Sequence, residues 1–457
     1  MDNINIQSPK ITERKWLIYP ALVISSLCLL IPAFYNHYPL VNPDTATYLA
    51  SGFKPETPFD RPITYGLLIR LFSLNGLSLW FLVFAQAYIV SWLIFKIFKA
   101  LSGNKPYILK SLLIVFLLSV VSGLSWIVSQ VQPDVFTPVA FLCIIIILMD
   151  KEGRGTNFLL YCLFFIAVAV HLSHPLLMVI TLLCLFIFSR IYTNKTGVRP
   201  MKQVSILIIL SLGSIIMMGS ALAKSKHVYF MGSLLQKGVL KIYLDDQCMA
   251  KNYKICKYKD VLPADVNEFW WNPNSPLYKI GGWQSTRPEF NDIINGIITS
   301  PAYLKLYLAA SIKQVGEQTV TFNIGDGNQA FPPGSNVEQR VSEYFPQEAT
   351  RFNNSRQNKS YLMEILAAPN KVFSIVIACS LLAFLYVFIK WKSLSKEMRL
   401  ILLVCILGIF LNCLDCAAFG IVNGRYGCKM IWLIPFYIMA FIGSSLPSSK
   451  EKEVVLK

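Results

Sequence analysis

The sequence predicts an α-helical polytopic membrane protein with about ten transmembrane helices and one mixed extracytoplasmic domain inserted between the seventh and eighth. Three observations lead there. Apolar runs of about 18 to 22 residues recur along the chain, enough to cross a hydrocarbon core of roughly 30 Å, and without water to satisfy the backbone such runs must be helical. The 457 residues are 54% hydrophobic and 15% charged, with a mean hydropathy of +0.51, which excludes an ordinary soluble enzyme. The basic residues, finally, gather in alternate gaps between the runs.

Taken in order, the expected spans are 16–36, 76–98, 107–127, 133–149, 157–171, 175–192, 203–222, 371–390, 399–419 and 429–446. The first is too long for the apolar core of a signal peptide and has no small-residue cleavage site, so it reads as a retained signal-anchor helix. The spans 157–171 and 175–192 are short and split by His171-Leu172-Ser173-His174-Pro175, where the proline forces a turn. Ile63 to Leu74 is amphipathic, contains Arg70 and is too short to span, so it is expected along the membrane surface. Residues 1–222 thus form an N-terminal transmembrane module whose first outer loop covers 37–75. Residues 223–370 form the extracytoplasmic domain, and 371–457 a C-terminal module of three helices. Within the domain an aromatic-rich stretch (Phe269, Trp270, Trp271, Tyr278, Trp283) precedes a helix expected from Pro301 to Gln314. The polar run Gln329 to Lys359, with Pro332-Pro333-Gly334 and an Asn-rich end, reads as a mobile loop or lid.

Orientation follows from the basic residues. Lys10, Arg14 and Lys15 precede the first span; Lys96, Lys99, Lys105 and Lys110 lie between the second and third. Lys151 and Arg154 follow the fourth, Arg190, Lys195, Arg199 and Lys202 the sixth, and Lys390, Lys392, Lys396 and Arg399 the eighth. Lys450, Lys452 and Lys457 end the chain. All fall on one side of a ten-helix count, which makes that side cytoplasmic, with both termini. The opposite gaps 128–132, 171–175 and 417–427 carry one basic residue between them, Arg425. The net charge of +17 therefore reflects topology: residues 223–370 hold 16 Lys/Arg against 13 Asp/Glu, and the excess flanks the apolar runs. No nucleic-acid partner is expected. Of the 11 cysteines most lie in apolar runs and read as small buried hydrophobes. Cys248 and Cys256, in polar sequence on the outer side, are a candidate disulfide.

Chemistry is expected at the outer face. The loop from His37 to Arg61 is polar, holds Asp44 and Asp60, and ends in Asp60-Arg61-Pro62, more than a plain connector requires. The same topology brings Asp134, His171, His174, Asp326 and Arg425-Tyr426 to that face from distant parts of the chain. Ionisable groups so close to the bilayer are costly and tend to be functional, although capping or interfacial pairing explains each one singly. Asp44 can cap a short helix starting at Thr45 and also serve as a general base, because capping uses one carboxylate oxygen. Tyr48, Asp60 and Arg61 are the loop's candidate substrate contacts. For Asp134, which opens the fourth helix, capping against the helix dipole is the better single explanation. His171 and His174 are weak candidates for metal ligands, and hydrogen bonding to backbone or phosphate suits them better. Arg425 suits bidentate phosphate recognition, Tyr426 suits packing on a sugar or prenyl chain, and Lys429 follows one turn on. Gly325-Asp326-Gly327 reads first as a turn.

A first outer loop with an acid soon after helix one (Asp44), a following Arg-Pro step with an amphipathic helix, and the Arg425-Tyr426 start to a late helix together resemble the GT-C superfamily. These are polytopic membrane glycosyltransferases that use polyprenyl-phosphate-linked sugars. The resemblance covers the layout of roughly residues 10–220 and the Asn423–Tyr426 turn. It implies Asp44 as catalytic base, and Arg61 or Arg425 on the carrier phosphate. Two departures stand out: the paired acids usual in the family are not adjacent, and the long domain precedes the last three helices rather than following them.

The expected activity is transfer of a hexosyl or pentosyl group from a polyprenyl-phosphate donor to an extracytoplasmic glycan, lipid or protein acceptor. The expected location is a bacterial inner (plasma) membrane. Trp270, Trp271 and Trp283 are candidate sugar-stacking surfaces. No cofactor beyond the lipid-linked donor is expected, and the residues leave divalent-metal dependence and oligomeric state open. A transporter or flippase of a lipid-linked or envelope component and a non-catalytic envelope assembly protein are the alternatives. Against a transporter stand the lack of repeat symmetry and of ionisable residues near span midpoints, Asp415 toward the outer end of the ninth being the exception.

Overall fold

A computed structural model describes residues 15–103, 105–191, 201–218 and 221–445. Lys10, Arg14, Lys195, Arg199, Lys450, Lys452 and Lys457, which entered the orientation argument, lie outside them. Among the described residues the chain is helical, and β pairing is limited to an isolated parallel bridge between Leu40 and Gln130. The expectation of mixed secondary structure in 223–370 is thereby corrected: that stretch, too, is built of helices.

The N-terminal part runs through α1 (Ile18–Leu29), the short loop helices α2 (Thr45–Phe53) and α3 (Thr64–Phe72), then α4 (Leu79–Ser102) and α5 (Ile108–Val121). It continues with α6 (Phe136–Met149), α7 (Arg154–Ala169), α8 (His174–Ile191) and α9 (Met201–Met218). The main helices of the long polar stretch are α10 (Ala221–Gln236), α11 (Arg287–Thr299), α12 (Pro301–Val320) and α13 (Asn336–Tyr344). The chain closes with α14 (Ala367–Ile389), α15 (Lys396–Phe419), α16 (Gly424–Ile431) and α17 (Leu433–Ser445). Among the described residues six helices are long and apolar enough to cross a membrane: α4, α8, α9, α14, α15 and the joined α16–α17. Four more are apolar but shorter: α1, α5, α7, and α6 with its lead-in from Pro133. Each of these falls on one of the expected spans, and the protein is a helical membrane protein.

Two of the shorter helices have visible causes. Pro32 sits at the start of a second piece, Ile31–Asn36, and its missing N–H separates that piece from α1. Ser122 ends α5: its hydroxyl donates back to the Leu118 carbonyl at 2.6 Å, and Gly123 follows. The helix at the centre is α6. Every residue from Phe136 to Leu148 is buried, so it is apolar all round and packs against α4, α7 and α15. With 14 residues it is about 20 Å long at 1.5 Å per residue. One of its ends carries Asp134. Near the other, Lys96 pairs with Glu152 at 2.6 Å and Lys151 with Glu397 at 2.7 Å.

The apolar residues of the long stretch fall into two clusters. Val228, Leu240, Phe269, Trp270, Phe290 and Ile297 belong to a separate core, bordered by Cys248 and Cys256, which are joined in a disulfide. Phe331, Val337, Val341, Phe345 and Phe352 instead join the large membrane-helix core. Gln329–Lys359 is therefore not the loop or lid its polarity suggests: α13 packs on α2 through Val337 and Val341, spaced at i, i+4. Glu348, buried behind it, accepts from Tyr38 Oη at 2.9 Å and from the Leu79 N–H at 3.3 Å, placing a negative charge at the N-terminus of α4.

The α2–α3 pair depends on a close backbone approach. A Cβ on Gly66 would stand 2.4 Å from Ser51 Oγ and 2.7 Å from the Gly52 nitrogen. Gly66→Val should therefore push α3 off α2 and cost about 1–3 kcal/mol through overpacking. Thermal unfolding in detergent checks this; an unchanged midpoint would show that the two helices do not need the contact.

Candidate functional site

The site is assembled from the N-terminal ends of α6 and α16 and from the loop before α3. Asn423 caps α16, its Oδ1 accepting the Arg425 N–H at 2.9 Å. Asp326 accepts the Gly424 N–H at 2.9 Å from the Gly325–Gly327 turn, where both glycines have positive φ. So held, Arg425 places Nε 3.2 Å from Oδ2 of Asp134, and Lys429, one turn on, has Nζ 3.7 Å from Oδ1 of the same acid. Asp134 makes no capping bond. It lies in the turn that leads into α6, where an acid meets the helix dipole, and its carboxylate also pairs with the two cations.

The first loop approaches from the other side. Asn42 Oδ1 accepts the Asp44 N–H at 2.9 Å, and Thr45 Oγ1 both accepts the Asn42 N–H at 3.0 Å and donates to the Val131 carbonyl at 3.1 Å. These bonds pin the turn to the segment before α6. Asp44 stands at the N-cap position of α2 without using its side chain as a cap. One oxygen, Oδ1, lies 3.1 Å from Arg61 Nη1, and the other, Oδ2, lies 3.4 Å from Arg425 Nη2. Arg61 is held from behind by Asp60, with Nε 2.9 Å from Oδ2, and sits over the Tyr48 ring at 5.0 Å. Tyr229 donates to the Asp60 carbonyl at 3.2 Å.

The result is a chain of alternating charge: Asp60, Arg61, Asp44, Arg425, Asp134, Lys429. The side chains of Asp60, Asp134 and Lys429 are 3% exposed, and that of Asp44 is 31% exposed. Asp44 is thus the member that faces outward. Burial pushes its carboxyl up, but the charges of Arg61 and Arg425 outweigh burial and hold it down at about 2. The ring of Tyr426 lies 5.2 Å from the Arg425 guanidinium carbon and 5.4 Å from Lys429 Nζ.

The two histidines flank this chain. His174 is buried, with Nδ1 2.7 Å from the Ala167 carbonyl, to which it donates, so that Nε2 accepts from Thr137 Oγ1 at 2.8 Å. His171 stacks on it at 4.8 Å and bonds Ser173 Oγ through Nδ1 at 3.1 Å. Burial, then the charges of Lys429 and Arg425, drive its imidazole down to about 3, so it is neutral at ordinary pH. Among the described residues no group of three or more His, Cys, Asp or Glu is arranged to hold a metal ion.

Asp44, Tyr48, Asp60, Arg61, Asp134, Arg425 and Tyr426 therefore meet in one place, with His171 and His174 beside them. Trp270 and Trp283 do not fit the stacking role suggested for them. Both are 5% exposed in the second core, and Trp270 Nε1 donates to the Val228 carbonyl at 3.1 Å. Trp271, 40% exposed, lies against Trp283 with 5.4 Å between ring centroids. Three participants carried little sequence signal. Asn42 and Tyr229 brace the loop, and Gln318 holds Asn423 by donating to its carbonyl at 3.0 Å and accepting its N–H at 2.9 Å. Only Asn42, in an Asn-Pro-Asp turn, had a pattern that could have singled it out.

No protein-family model, curated protein or solved structure matches the chain. Its class rests on the fold: a helical membrane protein with a buried charge network where helix ends meet.

Burial separates the acids energetically. Asp134→Asn leaves Arg425 and Lys429 without their buried partner and should cost about 3–5 kcal/mol. Asp44→Asn removes the most exposed link from two arginines that keep Asp60 and Asp134, and should cost less, about 1–2 kcal/mol. Thermal unfolding of the two variants in the same detergent decides; equal losses would refute the ordering by burial.

Proposed function

We propose that the protein is a GT-C-type membrane glycosyltransferase. It moves a sugar from a polyprenyl-phosphate donor to an extracytoplasmic acceptor, and its ten spans put both termini in the cytoplasm. The observation that carries the reading is Asp44, partly exposed and set between Arg61 and Arg425. A carboxylate next to two phosphate-competent guanidiniums is the pairing that transfer from a sugar phosphate needs. The acceptor hydroxyl oxygen forms a bond to the anomeric carbon while the carbon–oxygen bond to the phosphate breaks. The hydroxyl proton goes to Asp44, the electron pair leaves on the phosphate oxygen, and Arg61 and Arg425 stabilise that charge with charge-assisted hydrogen bonds. Attack opposite the leaving phosphate inverts the anomeric centre. Tyr426 and Tyr48, whose rings already lie against the guanidiniums, would border the sugar or the prenyl chain. The amphipathic α3 supports a site at the membrane surface, since it exposes Leu67 and Leu71 beside Arg70.

The test is release of farnesyl phosphate from a panel of farnesyl-phosphate hexoses and pentoses by the purified full-length protein, with an envelope extract supplying the glycan, lipid and protein hydroxyls that accept the sugar. Wild type should release it from at least one donor. Asp44→Asn should lower turnover about 10²–10⁴-fold, the usual size of a general-base contribution. Arg425→Gln should lower it as well, at retained thermal stability. A transporter or flippase would give no release from any donor, and turnover unchanged in Asp44→Asn would remove Asp44 from the mechanism.

A further inference from the structure

We infer that Arg61 and Arg425 form a preformed phosphate site that Asp44 occupies as an intramolecular stand-in, and that a bound phosphate displaces it. This rests on the reading of the two arginines as phosphate-holding residues and adds the exchange.

Several features point to exchange rather than a permanent bridge. Asp44 gives one oxygen to each arginine, so a single carboxylate spans the two guanidiniums. Two oxygens of a phosphate have a similar spacing and can take the same donors. Each arginine has an anchor besides the Asp44 carboxylate: Asp60 and the Asp44 backbone carbonyl, at 3.4 Å, hold Arg61, and Asp134 backs Arg425. Both backing acids are buried, and Asp44 is the outward-facing one. Its side chain also does not cap α2, so leaving the arginines breaks no capping bond.

A further donor stands ready. Asn42 is 1% exposed, and its Nδ2 makes no hydrogen bond. A Cβ on Gly327 would meet that nitrogen at 2.6 Å and Arg425 Nη1 at 3.8 Å, so the two donors border the same glycine. An unpaired buried N–H next to a guanidinium suits an anion with more oxygens than a carboxylate has. Charge agrees. Asp60, Asp44 and Asp134 balance Arg61, Arg425 and Lys429, and when Asp44 swings away the remaining five carry a net positive charge that an anion restores.

The exchange also changes Asp44. Between two arginines it is a poor proton acceptor; once released it loses both charges that hold its proton off and returns toward ordinary carboxylate basicity. Donor binding would then make the base available at the step that uses it.

The experiment is titration calorimetry on the full-length protein in detergent, with inorganic phosphate and with farnesyl phosphate as probes. Wild type is compared with Asp44→Asn, Asp44→Ala, Arg61→Gln and Arg425→Gln, each checked by thermal unfolding. Both Asp44 variants should bind about tenfold tighter or more, since the stand-in no longer competes for the site. Arg61→Gln and Arg425→Gln should bind at least about tenfold weaker, the loss of one charge-assisted contact. Tighter binding of farnesyl phosphate identifies a lipid carrier as the source of the phosphate, and equal affinity identifies free phosphate; the exchange stands in either case. Cryo-electron microscopy of wild type with farnesyl phosphate should show Asp44 turned away from both arginines. Asp44 variants that bind no tighter, or a phosphate seated beyond an intact Asp44–arginine bridge, would overturn the exchange while leaving the phosphate reading in place. Binding unaffected by both arginine substitutions would overturn the phosphate reading itself.

Discussion

Asp44 joins two arginines that reach it from positions 61 and 425, and the charge chain running through it sets what the surrounding structure must do. Six charged side chains meet where apolar helices end. Taken out of water singly, each would carry a desolvation cost of several kcal/mol, which only close opposite charges offset. Alternation along Asp60, Arg61, Asp44, Arg425, Asp134 and Lys429 gives every member a neighbour of opposite sign. The local devices nearby follow from this requirement. The Asn423 cap aims Arg425, the Gly325–Gly327 turn brings Asp326 to the start of α16, and the Asn42 turn presents Asp44.

The helices supply the rigid frame. With α6 buried on all sides, the segment holding Asp134 cannot shift without disturbing α4, α7 and α15 together. The second core grips the same frame at the end of α15. Lys237 Nζ donates to the Ala417 carbonyl at 2.7 Å, and Ser233 and Tyr307 both donate to the Ala418 carbonyl at 2.7 Å. Those carbonyls belong to the last turn of a helix and have no partner within it, so side chains from α10, from the residue after it and from α12 complete them. The contact holds the end of α15 shortly before the Asn423 cap, which links the position of the second core to the aim of Arg425.

Much of this was legible in the sequence, and the limits have physical reasons. Hydropathy located the apolar helices, because in a bilayer composition and length dictate helix almost by themselves. The alternation of basic gaps put Asp44, Asp134 and Arg425 on one face, and they are in direct contact there. What could not be read was the choice between two local fates. Asp134 at the start of a helix suits the helix dipole, and only the distant Arg425 and Lys429 reveal its second role. Trp270 and Trp283 look like surface aromatics until the glycine at 232 is seen to leave room for the Trp270 ring. The polarity of Gln329–Lys359 hides its packing, although Val337, Val341 and Phe345 recur at helical spacing. A thin apolar stripe suffices when the surface it covers is already a membrane-protein core.

The same charge balance bears on how such a site avoids idle chemistry. A carboxylate at full basicity beside two guanidiniums, open to water at a membrane surface, would be ready to activate any hydroxyl, water included. Held at about 2 by its neighbours, Asp44 is instead a weak base while the site is at rest. Under the proposed function, its activation needs the arginines to be given another anion, and a phosphate-bearing sugar donor would bring one. The strength of the resting pair and the selectivity of the proposed reaction then have one origin. On that proposal, the bridge from Asp44 to Arg61 and Arg425 is what a donor would replace, and only a ligand with the charge to do so could replace it.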